Sequence, residues 1–380
     1  MATPVKEYTD AVDKGLEGVV ACTTKISSIQ GNTLTFRGYT IDDLATNASF
    51  EEVVFLLWND RLPKKDELDT LRRELVKNMH LPADVQSVMK TLPLKNAVPM
   101  DFLRTVVSSL SMWDADAADI SDAANHRKSL RLTGVIGAIV AGFHRLRSGE
   151  SVLTPKADKG VAWNFLYLTQ GKEPSEQLAK DFDTCLILHA DHELNCSAFS
   201  ARVTTSSLSD LHSAITSAIG TLKGPLHGGA NEQVLRMLQK IGSLNQVDEF
   251  IQNALGDKAK VMGIGHRVYK DGDPRARILR QMSDRLTKAA GKHDLFVMSA
   301  RIDDMMQEKK GLMPNVDFYS ATVYHSMNIP TDLFTPIFAV SRISGWCAHV
   351  MEQYSQNRIY RPRGQYIGKT GVSYVPLEQR

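Results

Sequence analysis

The sequence predicts a mainly α-helical fold, and three features of the chain support this prediction. A capping box at Ser49-Phe50-Glu51-Glu52 precedes the apolar run from Val53 to Trp58. Apolar residues recur at helical spacing in several later segments, whereas convincing strand patterns are few. With 380 residues, the chain is long enough for two modest domains or for one large domain with an inserted lobe.

The first predicted elements lie in the N-terminal part of the chain. A short hairpin is predicted from Lys25 to Arg37, with its turn near Gly31-Asn32. After the helix that the capping box begins, Pro63 interrupts the chain. A second helix is then predicted from Lys65 to Met79, because leucines recur there at helical spacing.

Further helices are predicted downstream. One begins near Asp101, and another lies between Pro174 and Leu194, where Pro suits a first helical turn and apolar residues follow at helical spacing. The apolar run from Leu132 to Phe143 is shorter than the ~20 residues that a membrane-spanning helix needs. Because this run also contains glycines, we expect a helix that is buried inside the protein or at a subunit interface.

Composition and charge exclude several classes of function. Hydrophobic residues make up 43% and charged residues 23%, which is ordinary for a globular protein. A net charge of +2 produces no overall field that would attract nucleic acid or an anionic membrane. Four cysteines without a CxxC pair favour a reducing compartment, and the polar N-terminus resembles neither a signal nor a transit peptide. The sequence therefore predicts a cytoplasmic protein.

Three glycine- or proline-marked loops after residue 220 each carry a titratable residue. The first, KGPLHGGANE, places His227 before a predicted helix. The positive end of a helix dipole favours neutral imidazole, which can donate a hydrogen bond to a developing enolate. A histidine that merely stabilises a tight turn is the alternative.

The second loop, GIGHRVYKDGDPRA, surrounds His266 with several cations. Its G-x-G lacks the third glycine of a dinucleotide-binding fingerprint, and no βαβ unit surrounds it. Arginine binds carboxylates through two parallel hydrogen bonds, and a mixed cluster suits phosphates. The alternative is a solvated basic loop. The cations are Arg267, Lys270, Arg275 and Arg277.

The third loop, PNVDFYS, places Asp317 between two apolar residues. Partial burial there would raise the pKa of the carboxyl group and make it a stronger base. A helix N-cap is the alternative for this residue.

Two further patterns bear on ligand chemistry. Arg342 lies in an apolar run, FAVSRISGW, where a cation requires a partner or an anionic ligand. His189 and His192, placed on one predicted helix, permit a metal site, yet no H-E-x-x-H motif or Cys/His cluster supplies further ligands. A serine hydrolase is disfavoured because the chain has no G-x-S-x-G elbow.

Taken together, the segments resemble the citrate synthase family, in order and at matching spacing. The resemblance covers roughly residues 15 to 370 and is closest to the short, dimeric bacterial and archaeal form. It implies a large helical domain, residues 1–220 and 325–380, with a smaller helical domain inserted at 221–324. The segments are GPLHGGANE, GIGHRVYKDGDPRA, PNVDFYSA, LFTPIFAVSRISGW, NRIYRPR and the N-terminal stretch from GLEGVV to VVFLLW.

The resemblance also implies roles for individual residues. Asp317 matches the base that removes a methyl proton from acetyl-CoA, His227 the histidine that stabilises the enol, and His266 the histidine that polarises the carbonyl of oxaloacetate. The family contains no metal and needs no cofactor besides the co-substrate acetyl-CoA. The oxaloacetate-binding set is matched by His192, Arg275, Arg342 and Arg361, the last expected from the partner subunit of a homodimer.

The chain also carries residues that could bind the co-substrate, and its sequence leaves alternative functions open. Acetyl-CoA carries phosphates, and we expect Arg267, Lys270, Lys309, Lys310 and Asn315 to contact them or the nucleotide. A 2-methylcitrate synthase that uses propionyl-CoA is the nearest alternative, because one methylene discriminates by only ~1–3 kcal/mol. A metal-dependent hydrolase built on His189 and His192 and a non-catalytic helical scaffold are the alternatives from other classes.

Overall fold

Helices make up most of the fold. The computed structural model describes residues 14–16 and 18–380. The prediction that the N-terminus is neither a signal nor a transit peptide therefore falls mainly on residues outside the described part. The α-helices of the described residues are α1 Ile41–Asn47, α2 Phe50–Asn59, α3 Lys65–Asn78, α4 Ala83–Thr91, α5 Pro99–Ser109, α6 Asp122–Arg147, α7 Val161–Gln170, α8 Glu176–His189, α9 Cys196–Ser206, α10 Leu211–Leu222, α11 Ala230–Ile241, α12 Val247–Gly256, α13 Pro274–Ala289, α14 His293–Lys310, α15 Val316–Ser326 and α16 Phe334–Ser355. Short 3-10 helices occupy Lys14–Leu16, Leu110–Met112, Leu244–Gln246, Thr331–Leu333 and Leu377–Gln379.

A small antiparallel sheet precedes α1. Its strands are β1 Ser27–Gln30, β2 Thr33–Phe36 and β3 Tyr39–Thr40, in that order across the sheet. Strands β1 and β2 form the predicted hairpin, in which Gln30 pairs with Thr33 around the Gly31-Asn32 turn. Leu34 and Phe36 are fully buried, so one face of the hairpin joins the core.

Most helix boundaries follow the local signals. Ser49 accepts a hydrogen bond from the Glu52 amide and Glu52 bonds back to Ser49, so the predicted capping box begins α2. Helix α5 begins at Pro99, two residues before the predicted start, because proline suits the first turn. The prediction that His189 and His192 share a helix is wrong, because α8 ends at His189 and a turn follows.

Helices α6 and α16 form the centre of the fold. Almost every residue of α16 is buried, and α6 packs against it as well as against α3, α5 and α7. Gly134 lets α6 approach α3 closely, since a Cβ atom there would lie 2.6 Å from the Leu75 carbonyl oxygen. The predicted burial of the glycine-containing run is therefore confirmed. No helix within residues 14–16 and 18–380 has the length and apolar character needed to cross a bilayer.

Helices α11 to α15 pack mainly on one another. Helix α15 lies against α11, α13 and α14, and α12 packs on α14. These five helices fall almost entirely within the segment 221–324 that was predicted as the smaller domain. The division into two domains remains a prediction.

Two acidic side chains near the start of α2 make a stability prediction possible. Asp183 accepts a hydrogen bond from the Phe50 amide at 3.0 Å, and the buried Glu51 accepts one from Val161 at 2.8 Å. Burial raises the pKa of Asp183 well above its ordinary value, and the charge of Glu51 raises it further. Folding therefore becomes less favourable as the pH rises from the unfolded-state pKa through this raised value.

We expect Asp183→Asn to raise the melting temperature by about 2–4 °C above neutral pH, the shift that roughly 1 kcal/mol produces. The amide oxygen can still accept the Phe50 hydrogen bond, while the charge is removed. Thermal unfolding of both proteins between pH 4 and pH 8 measures this difference, which should vanish at the acid end. A lower melting temperature for the variant across the whole range would contradict the prediction.

Candidate active site

His266 lies in a tight turn that determines its tautomer. Its Nδ1 accepts hydrogen bonds from the backbone amides of Val268 and Tyr269, at 3.0 and 3.2 Å. Because a backbone N–H can only donate, Nδ1 is unprotonated, and the neutral ring carries its proton on Nε2. Burial and the charge of Arg275 lower the pKa of His266 to about 4. His266 is therefore a neutral donor through Nε2.

His227 is also neutral, and its donor is the other ring nitrogen. The Ser197 amide donates to His227 Nε2 at 3.2 Å, so the proton lies on Nδ1. Burial, then the charge of Arg342, lowers its pKa to about 4. The neutral state is as predicted, but the reason differs, because α11 begins three residues later and burial dominates. Nδ1 has no hydrogen-bond partner among the described residues.

Asp317 is a buried carboxylate with a free oxygen. It is 8% exposed, and its Oδ1 has no hydrogen-bond partner within the described part of the chain. Burial raises its pKa to about 7, against the opposing charge of Arg275. The alternative of a helix cap is wrong, because Asn315 caps α15 by accepting from the Asp317 amide. The carboxylate is thus left available as a base.

The loops that carry His266 and Asp317 are tied together. The Asn315 side chain donates to the Gly265 carbonyl at 2.9 Å, while its backbone amide donates to the Gly263 carbonyl at 2.9 Å. Ile264 and Pro314 form an isolated antiparallel bridge between the same segments. These contacts fix the loop that carries His266 relative to the loop that carries Asp317.

Asp273 joins the same region to α13. Its carboxylate caps α13, pairs with the Arg275 guanidinium at 2.9 and 2.8 Å, and accepts from the Val316 amide at 3.0 Å. Arg275 is 2% exposed, so this two-point ion pair is desolvated and its guanidinium orientation is well defined. Arg275 therefore contributes positive charge at a defined position.

His192 forms the opposite wall. Its Nε2 lies 3.1 Å from the Tyr269 hydroxyl, and its ring contacts that of His266 with centroids 5.2 Å apart. Burial lowers its pKa well below the ordinary value, and the charge of Arg275 lowers it further. His192 is thus a neutral, oriented hydrogen-bonding group.

Arg342 is a buried cation that has no carboxylate partner in the described part of the chain. It is 1% exposed, its Nε donates to the His189 carbonyl at 2.7 Å, and its guanidinium lies 4.7 Å from the centre of the Phe338 ring. No ion pair within 4 Å is found for it among the described residues. Burial lowers its pKa to about 10, so it stays charged at neutral pH and favours an anionic ligand.

Six predicted residues converge on this region. The charges of Arg275 and Arg342 act on both His192 and Asp317. The charge of Arg275 also acts on His266, and that of Arg342 acts on His227. A base, three neutral histidines and two guanidinium groups are therefore grouped in one region. This arrangement suits removal of a proton from carbon while hydrogen bonds stabilise the enolate that forms.

Other predicted residues lie apart from this group. Arg361 is exposed in the C-terminal segment, and no contact joins it to the converging residues. Asn315 holds the loops, and its predicted contact with CoA stays a prediction. The four cations predicted to meet CoA are exposed and have no ion pair in the described part of the chain: Arg267, Lys270, Lys309 and Lys310.

The metal-site alternative loses its structural basis. His189 Nδ1 donates to the Cys185 carbonyl at 2.7 Å, and burial lowers the pKa of His189 to about 3. Because His192 follows the end of α8, the two rings do not share a helix face. No group of three or more His, Cys, Asp or Glu side chains suited to a metal ion occurs among residues 14–16 and 18–380.

Several supporting residues were missed by the sequence reasoning. Ser197 contacts His227 and also accepts a hydrogen bond from Trp346 at 3.0 Å, across 149 residues of sequence. No local pattern signals such a distant contact. Asp273 could have been found, because an Asp before Pro at the start of a helix indicates an N-cap.

The fold and the grouped residues are typical of an enzyme that performs acid–base chemistry on an anionic substrate. Over residues 15–363 the chain matches the family described as "Citrate synthase, C-terminal domain". It is 52% identical to citrate synthase 2 of Bacillus subtilis, over 97% of this chain and 99% of that protein. It is 40% identical to 2-methylcitrate synthase of Shewanella oneidensis, over 96% and 97% of the two chains.

A solved structure agrees with these matches. The citrate synthase of Thermoplasma acidophilum, in a ternary complex with carboxymethyl coenzyme A and oxaloacetate, superposes with a TM-score of 0.93 and 30% identity. The superposition covers 98% of this chain and all of that one. The chain belongs to the citrate synthase family. It is accordingly an enzyme that transfers an acyl group.

Proposed function

We propose that this enzyme condenses acetyl-CoA with oxaloacetate and then hydrolyses the resulting citryl-CoA to citrate and CoA. The observation that carries the proposal is the buried carboxyl group of Asp317. One of its oxygens has no hydrogen-bond partner among the described residues, and its pKa is about 7. A carboxylate can deprotonate a thioester methyl group only if the enolate is stabilised as it forms. Two neutral histidines with defined donor atoms meet that requirement.

Each group has one role in the proposed reaction. Asp317 removes the methyl proton, and His227 Nδ1–H donates to the enolate oxygen. His266 Nε2–H donates to the carbonyl oxygen of oxaloacetate and supplies its proton as the new carbon–carbon bond forms. The two carboxylates of oxaloacetate are bound by His192, Arg275, Arg342 and, from the partner subunit of a homodimer, Arg361.

Further parts of the proposal follow from this chemistry. The groups above need neither a metal nor a cofactor, and acetyl-CoA acts as a co-substrate. Because citryl-CoA must meet water only after condensation, we propose that domain closure around oxaloacetate excludes water at first. The cysteine usage supports a cytoplasmic location.

Release of free CoA thiol tests the function directly. Acetyl-CoA and oxaloacetate are incubated with the protein in EDTA, and propionyl-CoA is assayed in parallel. We expect rapid, oxaloacetate-dependent thiol release that is faster with acetyl-CoA. Preference for propionyl-CoA would favour 2-methylcitrate synthase, which the Shewanella relative makes the second candidate. No release from either thioester by the folded protein would refute both.

The exposed lysines at the end of α14 test the predicted CoA contacts. We expect the double variant Lys309→Ala, Lys310→Ala to raise the KM for acetyl-CoA several-fold. Each substitution would remove one exposed charge contact with CoA, worth up to ~1 kcal/mol. The KM for oxaloacetate should not change. Steady-state kinetics at low ionic strength measures both constants, with the exposed pair Lys64→Ala, Lys65→Ala as a control. An unchanged acetyl-CoA KM would remove both lysines from the CoA site.

A further inference from the structure

The turn that presents His192 is held by side chains that lie outside the proposed substrate contacts. We infer that Ser27 and His349 are positioning residues, which act through Asp191 to orient His192 for oxaloacetate. The inference rests on the proposed function, because it assigns these residues to the binding of its substrate. Neither residue was singled out by a sequence motif.

Ser27 bonds to both neighbours of His192. Its hydroxyl donates to Asp191 Oδ2 and accepts from the Glu193 amide at 2.8 Å. Glu193 has a φ of +50°, in the left-handed region that is costly for a residue with a side chain. A single hydroxyl from β1 thus stabilises a turn whose backbone conformation is intrinsically unfavourable. His192 lies at the centre of that turn.

His349 holds the same carboxylate from the other side. Its Nε2 lies 3.2 and 3.3 Å from the two oxygens of Asp191. Arg202 Nε donates to His349 Nδ1 at 3.1 Å, so the proton of the neutral ring is on Nε2 and points at Asp191. All three side chains are 2% exposed or less, so no solvent replaces these bonds when one is lost.

Helix α16 carries these restraints to a second oxaloacetate-binding residue. A Cβ atom on Gly345 would lie 2.4 Å from Asp191 Oδ1, so the helix and the turn are in direct contact. Arg342, one turn earlier on α16, donates to the His189 carbonyl at the start of the turn. A shift of Asp191 would therefore displace both His192 and Arg342. Asp317 lies on a different helix, α15, and is not held by these contacts.

Ser27→Ala tests the inference. We expect the KM for oxaloacetate to rise about tenfold, the effect of one lost buried hydrogen bond. The KM for acetyl-CoA should stay within about twofold, because a defect confined to the His192 turn spares the CoA contacts. Ser28→Ala is the matched control, since Ser28 is the next residue of β1 and its side chain makes no hydrogen bond among the described residues.

A pair of His349 variants separates hydrogen bonding from packing. Gln at this position can donate to Asp191 and accept from Arg202, whereas Leu fills similar space and does neither. We expect His349→Gln to keep an oxaloacetate KM near that of the wild type and His349→Leu to raise it. If His349→Leu fails to fold, the Ser27→Ala result still decides the matter.

The outcomes distinguish this inference from the proposed function. If the wild type releases thiol and Ser27→Ala has an unchanged oxaloacetate KM, Ser27 does not position His192 and the inference is overturned. Equal loss in both KM values, together with a lower melting temperature, would indicate general destabilisation and also overturn it. A wild type without turnover refutes the proposed function instead. The oxaloacetate-induced rise in melting temperature, compared between wild type and Ser27→Ala, then tests the positioning without catalysis.

Discussion

Replacing Asp317 with alanine is expected to lower kcat by about 10³-fold, the middle of the range for loss of a positioned acid or base. None of the neighbouring groups among the described residues can replace it. The histidines are neutral and their free nitrogens donate, the guanidinium groups cannot accept a proton, and the Asp273 carboxylate is already bonded to Arg275 and to the Val316 amide. The fold should remain intact, because the carboxylate has one oxygen without a partner and its removal relieves a desolvation cost. The KM for oxaloacetate should change little.

Thiol release and far-UV circular dichroism measure the two parts of this prediction. Asp304→Ala is the matched control, because Asp304 is an exposed carboxylate of the neighbouring helix α14. Near-normal turnover by a folded Asp317→Ala protein would show that another group acts as the base. Asp317→Asn provides a second variant of nearly unchanged volume.

The raised pKa of Asp317 also predicts the pH dependence of the wild type. Only the ionised carboxylate can accept a proton, and this form is lost as the pH falls through about 7. We therefore expect kcat/KM for acetyl-CoA to decline tenfold per pH unit below that value. An acid limb near pH 4, the ordinary range of a carboxyl group, would contradict the assignment.

Replacing His266 with alanine is expected to lower kcat by about 10²–10⁴-fold. The variant loses the Nε2–H donor that we propose polarises the carbonyl of oxaloacetate. Alanine also leaves the amides of Val268 and Tyr269 without their acceptor, so a structural effect must be separated from a chemical one.

His266→Asn makes this separation. The asparagine Oδ1 can lie where Nδ1 lies and can accept the same two amides, but the side chain lacks any group at the position of Nε2. We expect both variants to lose similar activity in the thiol-release assay. Recovery of activity in His266→Asn would mean that His266 serves the turn and not the reaction.

The parts of the fold that the sequence predicted are those with a local cause. The capping box at Ser49, the turn at Gly31-Asn32 and the burial of a glycine-containing helix all depend on neighbouring residues. Arg342 was predicted as a ligand-binding cation because a charge in an apolar run requires compensation. Each of these signals is complete within a short stretch of sequence.

The errors and omissions have a different origin. The segment after His189 was predicted as helix, but the contacts of Asp191 with Ser27 and His349 stabilise a turn there. These contacts join residues 164 and 158 positions apart, which no periodicity reveals. The neutral state of His227 was predicted from a helix dipole, whereas tertiary burial is the main cause.

The tie between the loops of His266 and Asp317 has a consequence for how acyl preference can diverge. Because Asn315 caps α15 and holds Gly265 at the same time, an insertion in either loop would displace both His266 and Asp317. A mutation that changes one loop therefore also affects the other, and selection should keep the lengths of both loops constant. Enzymes of this family that come to favour a longer acyl chain should acquire the change through residues elsewhere in the pocket wall, leaving the paired loops as an inherited unit.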